Sequence, residues 1–399
     1  MKRVKYYKRF IKYYIEEAFL ELNDSNPACI SKHIVNKFKN QYISENDLKL
    51  INIALKNDVS QKEFDDFIRN WDIEKEGGHK ALLLSFFMKN HPEIQIPKYA
   101  EPRLKGLLQY FRFRNMNLIA HFKKICSRLK QNSIPVLIIK GAAMRHYRQD
   151  IPRLMGDIDV LVIDKNLQKS KNIVKDLGYT YIEYPHSIDL HIGENNEGIV
   201  DIHSQMDLMS EKQTLINQDI FSRAHLDKVF GIENIFVPSI EDMLFISLIN
   251  MVKNLIRRTS IASILYTVFD CKYLIESKPD FNWEIIKQNT TKTETAPLIY
   301  IAIKFIKELA QINIPDMFEE EFNSYTTKFI YNKYLLPRMK EKSHSIKIND
   351  IFFNFNNFNN FIQLKSKYFL YKRRLIRNNI KLSNNIIQNN KELIRENIV

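Results

Sequence analysis

Two aspartates, Asp157 and Asp159, sit one residue apart in the apolar run GDIDVLV at residues 156–162. A strand sends successive side chains to opposite faces, so both carboxylates project from one face while Ile158 points into a core. Adjacent like charges repel and raise one pKa. A site that keeps both ionised therefore supplies a compensating cation, and oxygen ligands of this kind suit Mg²⁺ or Mn²⁺. The bland alternative is two exposed aspartates at a strand end, where Asp is common.

A third carboxylate follows a polar turn. Residues 187–192 read as a strand, 193–198 (GENNEG) as a hairpin loop and 199–204 as the return strand. Asp201, between Val200 and Ile202, lies on the polar face of that strand, and His203 faces the same way. If this strand lies beside the one carrying Asp157 and Asp159, three carboxylates converge, enough for two metal ions in a phosphoryl-transfer site. His203 is then either a general base or an orienting hydrogen-bond partner. His186 and His191 flank the same hairpin, but no Cys completes a zinc set, so they read as surface or supporting histidines.

The elements upstream suit an anion. Residues 136–139 form a short aliphatic run that stops at Lys140-Gly141 and gives way to a helix start at Ala142-Ala143-Met144-Arg145. Strand, Gly, helix is a phosphate-cradling order: Gly141 permits close backbone approach, and free N–H groups of the helix point at the ligand. Lys140 could add a point charge and Arg153 a bidentate clamp, or either could be a solvated surface cation.

Together, Lys-Gly-Ala at 140–142, Arg153, Gly-Asp-Ile-Asp-Val-Leu-Val, Leu-Gly-Tyr at 177–179 and Asp-Ile-His at 201–203 resemble the bacterial "nucleotidyltransferase family protein" group of the DNA polymerase β-like nucleotidyltransferase superfamily. The resemblance spans roughly residues 115–205 and continues more weakly to about 288. There Pro238-Ser239-Ile240-Glu241-Asp242, Phe269-Asp270 and Asn282-Trp283 look like the group's helical extension. It implies Asp157 and Asp159 as metal ligands, Asp201 as third ligand and possible base, and Gly141 with Ala142 as the triphosphate loop. Ala142 departs from the Gly or Ser of the wider superfamily, removing a hydroxyl contact to a phosphate, although backbone N–H groups could serve without it. The implied chemistry is transfer of NMP from an NTP such as ATP to a hydroxyl, with pyrophosphate released at a two-metal Mg²⁺ or Mn²⁺ site. The acceptor stays open among tRNA, a peptide or protein, and a small molecule. The alternatives are a phosphotransferase using the same site, or a non-catalytic RNA- or protein-binding module on the same fold.

The surrounding chain reads as α+β: a nucleotidyltransferase-like mixed sheet with flanking helices, plus helical regions on either side. The expected divisions are a helical N-terminal region at 1–114, the catalytic core at 115–235, a helical domain at 236–345 and a basic Asn/Lys-rich helical or flexible tail at 346–399. After the Asp-x-Asp strand, Asp164 is placed to cap a helix running to Leu177, Gly178 to end it, and residues 179–184 to return as a strand. The 399 residues carry 60 Lys and Arg against 46 Asp and Glu, a formal net charge of +14 that favours acidic partners, nucleic acid among them. The tail segment KSKYFLYKRRLIR at 365–377 interleaves aromatics with cations, as an RNA-binding stretch or an amphipathic helix would. Cys29, Cys126 and Cys271 are few, widely spaced and odd in number, as for reduced thiols, and neither an uninterrupted apolar leader nor a membrane span is evident. A cytoplasmic location is the expectation that follows.

Overall fold

The computed structural model describes residues 2–333, apart from 23, 57, 77, 82, 150–152, 154, 185, 193–197, 207–212, 258–260, 316–317 and 331. The 193–197 loop and the basic tail at 346–399 lie outside the described residues. The fold is mixed α and β, built on a sheet of seven strands: β1 (Leu137–Ile138), β2 (Asp157–Leu161), β3 (Tyr181–Tyr184), β4 (Ser187–Ile192), β5 (Gly198–His203), β6 (His225–Val229) and β7 (Ile232–Val237). Their order across the sheet is β3-β4-β5-β2-β1-β7-β6. The five helices that frame the sheet and the site are α1 (Glu101–Gln131), α2 (Lys140–Tyr147), α3 (Leu167–Asp176), α4 (Ile240–Arg257) and α5 (Ile261–Glu276). Further helices run from Lys2–Leu22 to Leu84–Asn90 before α1, and from Trp283–Thr293 to Glu319–Ile330 after α5. No helix among the described residues is long and apolar enough to cross a membrane.

The centre of the sheet is where the site residues lie. Strands β2 and β5 run parallel with Asp159 opposite Asp201, and β4 runs antiparallel to β5 with Asp189 opposite Asp201. Residues directly opposite on neighbouring strands project to the same face. Asp189, Asp201 and Asp159 therefore form a row across three strands. The other face is closed: Ile158, Val160, Val200 and Ile202 are buried on it. A Cβ added at Gly198 would lie 3.0 Å from Leu118 of α1, so glycine there lets this helix press against the sheet. Helix α1 turns its apolar residues Leu104, Phe111, Leu118, Phe122, Ile125 and Leu129 inward at spacings of seven, four and three, the period of one helical face.

Two local readings of the sequence need correction, and one hairpin was missed. Asp164 does not cap the helix after β2: it opens a 3₁₀ turn, Asp164–Asn166, and α3 starts at Leu167 with no side-chain cap. Asp competes for backbone groups in tight turns as readily as it caps, and here the turn wins. Helix α2 begins at Lys140 rather than beyond Gly141. The β6–β7 hairpin escaped the sequence reading although its turn carries a signal. Phe230 and Gly231 take φ of 52° and 84°, as a two-residue primed turn requires.

Candidate active site

Of the three carboxylates expected from the sequence, Asp159 and Asp201 come together with His203, while Asp157 lies two residues along β2 on the same face and outside that set. Asp157 and Asp159 come from β2, and Asp201 and His203 from β5, with the register holding Asp159 beside Asp201. One ligand atom from each of Asp159, Asp201 and His203 lies within 4.8 Å of the other two, a set able to hold a metal ion. Asp159 is buried at 1 % exposure, and its Oδ1 receives both the Lys140 ammonium and, at 2.9 Å, Nε2 of His203. His186 contributes its backbone carbonyl to Ser204 at the end of β5.

Electrostatics divides the carboxylates. Burial pushes Asp159 up, but the Lys140 charge and the His203 hydrogen bond overcome it and hold the carboxyl well below its ordinary range. Asp157 rises to about 6, first through repulsion by Asp159 and then through burial. Asp201 rises to about 9, through burial and then repulsion from Asp159, Asp189 and Asp157. Buried carboxylates lifted this way are short of positive charge. Oδ1 of Asp201 and Nδ1 of His203 are also buried without a hydrogen-bond partner among the described residues. Oxygen-rich donors, missing positive charge and an orphaned carboxylate oxygen fit a hard divalent cation.

The cleft beside Asp157 and Asp159 encloses about 380 Å³. One wall is Lys140, Gly141, Arg153, Asp157 and Asp159; the other is Ser247, Asn250 and Asn254 of α4 with Ser263, Tyr266 and Thr267 of α5. Lys140 takes φ of 51°, a left-handed backbone that a side chain with a Cβ enters at a cost of about 1–3 kcal/mol. That conformation starts α2 and aims the ammonium at Asp159. Gly141 sits in the first turn, where a Cβ would come 3.2 Å from Nη1 of Arg153. Ala142 is 1 % exposed and lies in the core, and it does not line the cleft.

Arg153 is held from both sides. Its Nη2 and Nε donate to Oδ2 and Oδ1 of Asp270 on α5 at 2.5 and 3.3 Å, and its guanidinium lies 5.3 Å from the centre of the Tyr266 ring. Asn115 of α1 grips the adjoining backbone, donating to the Arg153 carbonyl at 2.5 Å and accepting from the Met155 N–H at 3.0 Å. Behind Asp270, Arg148 is sandwiched between Phe86 and Tyr273, 4.7 and 4.3 Å from the ring centres. Burial still pushes the Asp270 carboxyl up against the pull of Arg153. Asp189, Asp270 and Asn115 were not singled out as functional residues from the sequence. Asp189 alone had a usable signal there: it alternates with Ile188 and Leu190 as Asp201 does with Val200 and Ile202, although a 193–198 loop would have set Leu190 opposite Asp201, and only the observed pairing of Ile192 with Gly198 brings Asp189 there.

The sequence model described as "uncharacterised nucleotidyltransferase" matches residues 80–311, more than half of the chain. No curated protein matches. Among solved structures, the antibiotic-resistance factor ANT(2″)-Ia aligns at 15 % identity over 45 % of this chain and 93 % of its own, with a TM-score of 0.34. An antigenic nucleotidyltransferase-like protein from Paracoccidioides brasiliensis aligns at 14 % identity over 46 % and 92 %, TM-score 0.31. A tRNA nucleotidyltransferase solved with a primer tRNA and an ATP analogue aligns at 12 % identity over 63 % and 98 %, TM-score 0.22. The extent of the family match makes this chain a member of the uncharacterised nucleotidyltransferase family, and an enzyme of that class.

Proposed function

We propose that the enzyme transfers an NMP group from an NTP to a hydroxyl-bearing acceptor, with Mg²⁺ or Mn²⁺ held by Asp157, Asp159 and Asp201. The observation that carries the reading is the register match of Asp159 and Asp201 on adjacent parallel strands, with Asp157 and Asp159 lining a cleft that also contains Arg153. Bound cations at such a site polarise the α-phosphate and neutralise the charge that builds on pyrophosphate. In this reading the acceptor oxygen forms a bond to the α-phosphorus as the bond to the β-phosphate bridge breaks, and the hydroxyl proton leaves to a carboxylate or to water. Asp201 is the group placed to take or orient that proton. His203 fixes the Asp159 carboxylate through Nε2. Arg153 and the first N–H groups of α2 receive the triphosphate, the guanidinium as a two-pronged donor steadied by Asp270. The catalytic module then corresponds to residues 115–235, and the region 236–345 supplies the hydroxyl and amide wall that meets the nucleoside or acceptor.

The acceptor classes are tRNA, a peptide or protein, and a small molecule. The test is incubation with each α-³²P NTP, Mg²⁺ or Mn²⁺, and cell lysate divided into RNA, protein and small-molecule fractions, beside an Asp157→Ala/Asp159→Ala control. Label entering one fraction only with the intact carboxylates, with pyrophosphate released, is the expected result and names the acceptor class. Label transferred equally by the folded double variant overturns the carboxylate assignment. Release of a nucleoside diphosphate in place of pyrophosphate makes the enzyme a phosphotransferase.

A further inference from the structure

The outer face of α1 combines exposed aromatics with cations in a way the cleft does not require. The helix carries eight lysines and arginines against a single glutamate, half of the chain's formal net charge of +14. Its outward side holds Tyr110, Phe113 and Met116, exposed at 56, 70 and 62 %. At 100° per residue these three, with Arg112, Lys123 and Lys124, fall within about half of the helix circumference and extend about 21 Å along the axis. Scattered exposed apolar side chains are ordinary, but three at successive steps of three residues on one basic helix form a stripe. The inner side is pinned: Leu118 packs against Gly198, and Asn115 holds the backbone at Arg153 and Met155. The stripe therefore cannot roll inward.

We infer that this face of α1 docks single-stranded RNA, its aromatic rings stacking unpaired bases while the flanking cations meet phosphates. Unstacked bases offer flat faces to Tyr and Phe beside a regular row of negative charge, and this surface presents both complements at once. An anionic membrane would share the charge complementarity. Helices that lie in a membrane interface, however, bury a broad aliphatic face, and on α1 the leucines and isoleucines point toward the protein. The surface lies behind the sheet relative to the carboxylates. At its N-terminal end Arg112 comes close enough to Arg145 of α2 to lower that group's pKa, after burial, so this end reaches the helix that starts at the cleft. The inference stands apart from the transfer reaction: RNA held here is an acceptor or a tether.

The test uses the full chain and fluorescence anisotropy of a short labelled single-stranded RNA of mixed sequence, over a range of salt. Tyr110→Ala/Phe113→Ala is expected to weaken binding roughly tenfold or more while thermal unfolding is unchanged. Arg112→Glu/Lys123→Glu is expected to weaken binding and to flatten the slope of log affinity against log salt by about 1.4 for two lost phosphate contacts. Lys372→Glu/Arg373→Glu/Arg374→Glu serves as a control for the basic tail. Unchanged affinity in both α1 variants, with loss only in the tail variant, overturns the proposal. Sedimentation with phosphatidylserine vesicles that depends on Tyr110 and Phe113, in a protein that ignores the RNA, also overturns it. Tighter binding of the matching single-stranded DNA than of the RNA counts against it as well.

Discussion

Asp270→Asn isolates the role of a residue that touches neither β2 nor β5. In the native protein Asp270 is 3 % exposed, and both its oxygens receive the Arg153 guanidinium, at 2.5 and 3.3 Å. The amide keeps the shape but exchanges one acceptor for a donor aimed at a cation. Breaking a fully buried ion pair costs about 3–5 kcal/mol. Because Arg153 lines an open cleft and water reaches it, we expect about 1–3 kcal/mol here, a fall of a few degrees in Tm. The larger effect falls on the ligand. A charge-assisted hydrogen bond contributes about 1.5–3 kcal/mol, so an Arg153 released from its anchor should weaken NTP binding roughly 10- to 100-fold. Titration of a non-hydrolysable NTP in the presence of Mg²⁺ reads this without knowledge of the acceptor. Arg153→Ala should weaken binding at least as much, and Asp270→Asn added to it should cost nothing further, since the two act as one unit. Native affinity in Asp270→Asn, or additive losses in the double variant, would refute the idea that Asp270 works through Arg153.

Stability of the metal-free protein should fall as pH rises from about 4 to about 9. Asp157 and Asp201 hold protons in the fold up to about 6 and about 9, whereas the unfolded chain releases them near the ordinary carboxyl value of 3.8, so the native state binds more protons across that window. For Asp157 alone the shift amounts to about 3 kcal/mol. Tm measured against pH in EDTA should show the decline and Mn²⁺ should reverse it; a flat profile in EDTA would show that the carboxylates carry no such strain. Gly141→Ala should leave Tm unchanged or slightly higher, because Ala favours helix, yet weaken NTP binding, because its Cβ would crowd Nη1 of Arg153 at 3.2 Å. Parallel thermal melts and nucleotide titrations would separate the two effects, and an equal loss in both would show that Gly141 is merely structural.

What could be read from the sequence follows the range of the interaction concerned. The Asp-x-Asp strand and the Asp-x-His strand announce themselves by alternation, which a chain reports locally through the two-residue period of β structure. The hairpin joining β4 to β5 is equally local, so the polar alternation of Asp189 was within reach of the same arithmetic, but its register was not: the strand β5 starts one residue earlier, at Gly198, than the sequence suggests. The pairing of β2 with β5 was not. Parallel neighbours need a long crossover, and here 36 residues containing α3, β3 and β4 separate Leu161 from Gly198. Asp270 lies farther still, 117 residues from Arg153. In the sequence it is one acidic residue in an apolar helix, with nothing to say that a guanidinium waits opposite. The Lys140 backbone was hidden for a different reason. Its left-handed φ is enforced by surrounding structure rather than by residue type, since the permissive residue is its neighbour Gly141.

The arrangement around Lys140 also explains how so acidic a site can fold before any cation arrives. Asp157, Asp159, Asp189 and Asp201 crowd one face of three adjacent strands, and in a half-buried setting four full charges would repel severely. Three devices lower that repulsion. Lys140 and His203 both meet Oδ1 of Asp159, the most buried of the four, and keep it ionised. Asp157 and Asp201 keep protons instead, Asp201 through neutral pH and beyond. A divalent cation entering the site must therefore exchange with bound protons and compete with the Lys140 ammonium, so its affinity should climb with pH. The left-handed turn at Lys140 sets the ammonium at the border between the carboxylates and the start of α2, within one residue of Gly141. In the reaction proposed above, an ammonium displaced from Asp159 by a cation would have the Gly141 and Arg153 end of the cleft as its nearest alternative, where it would meet the nucleotide's negative charge.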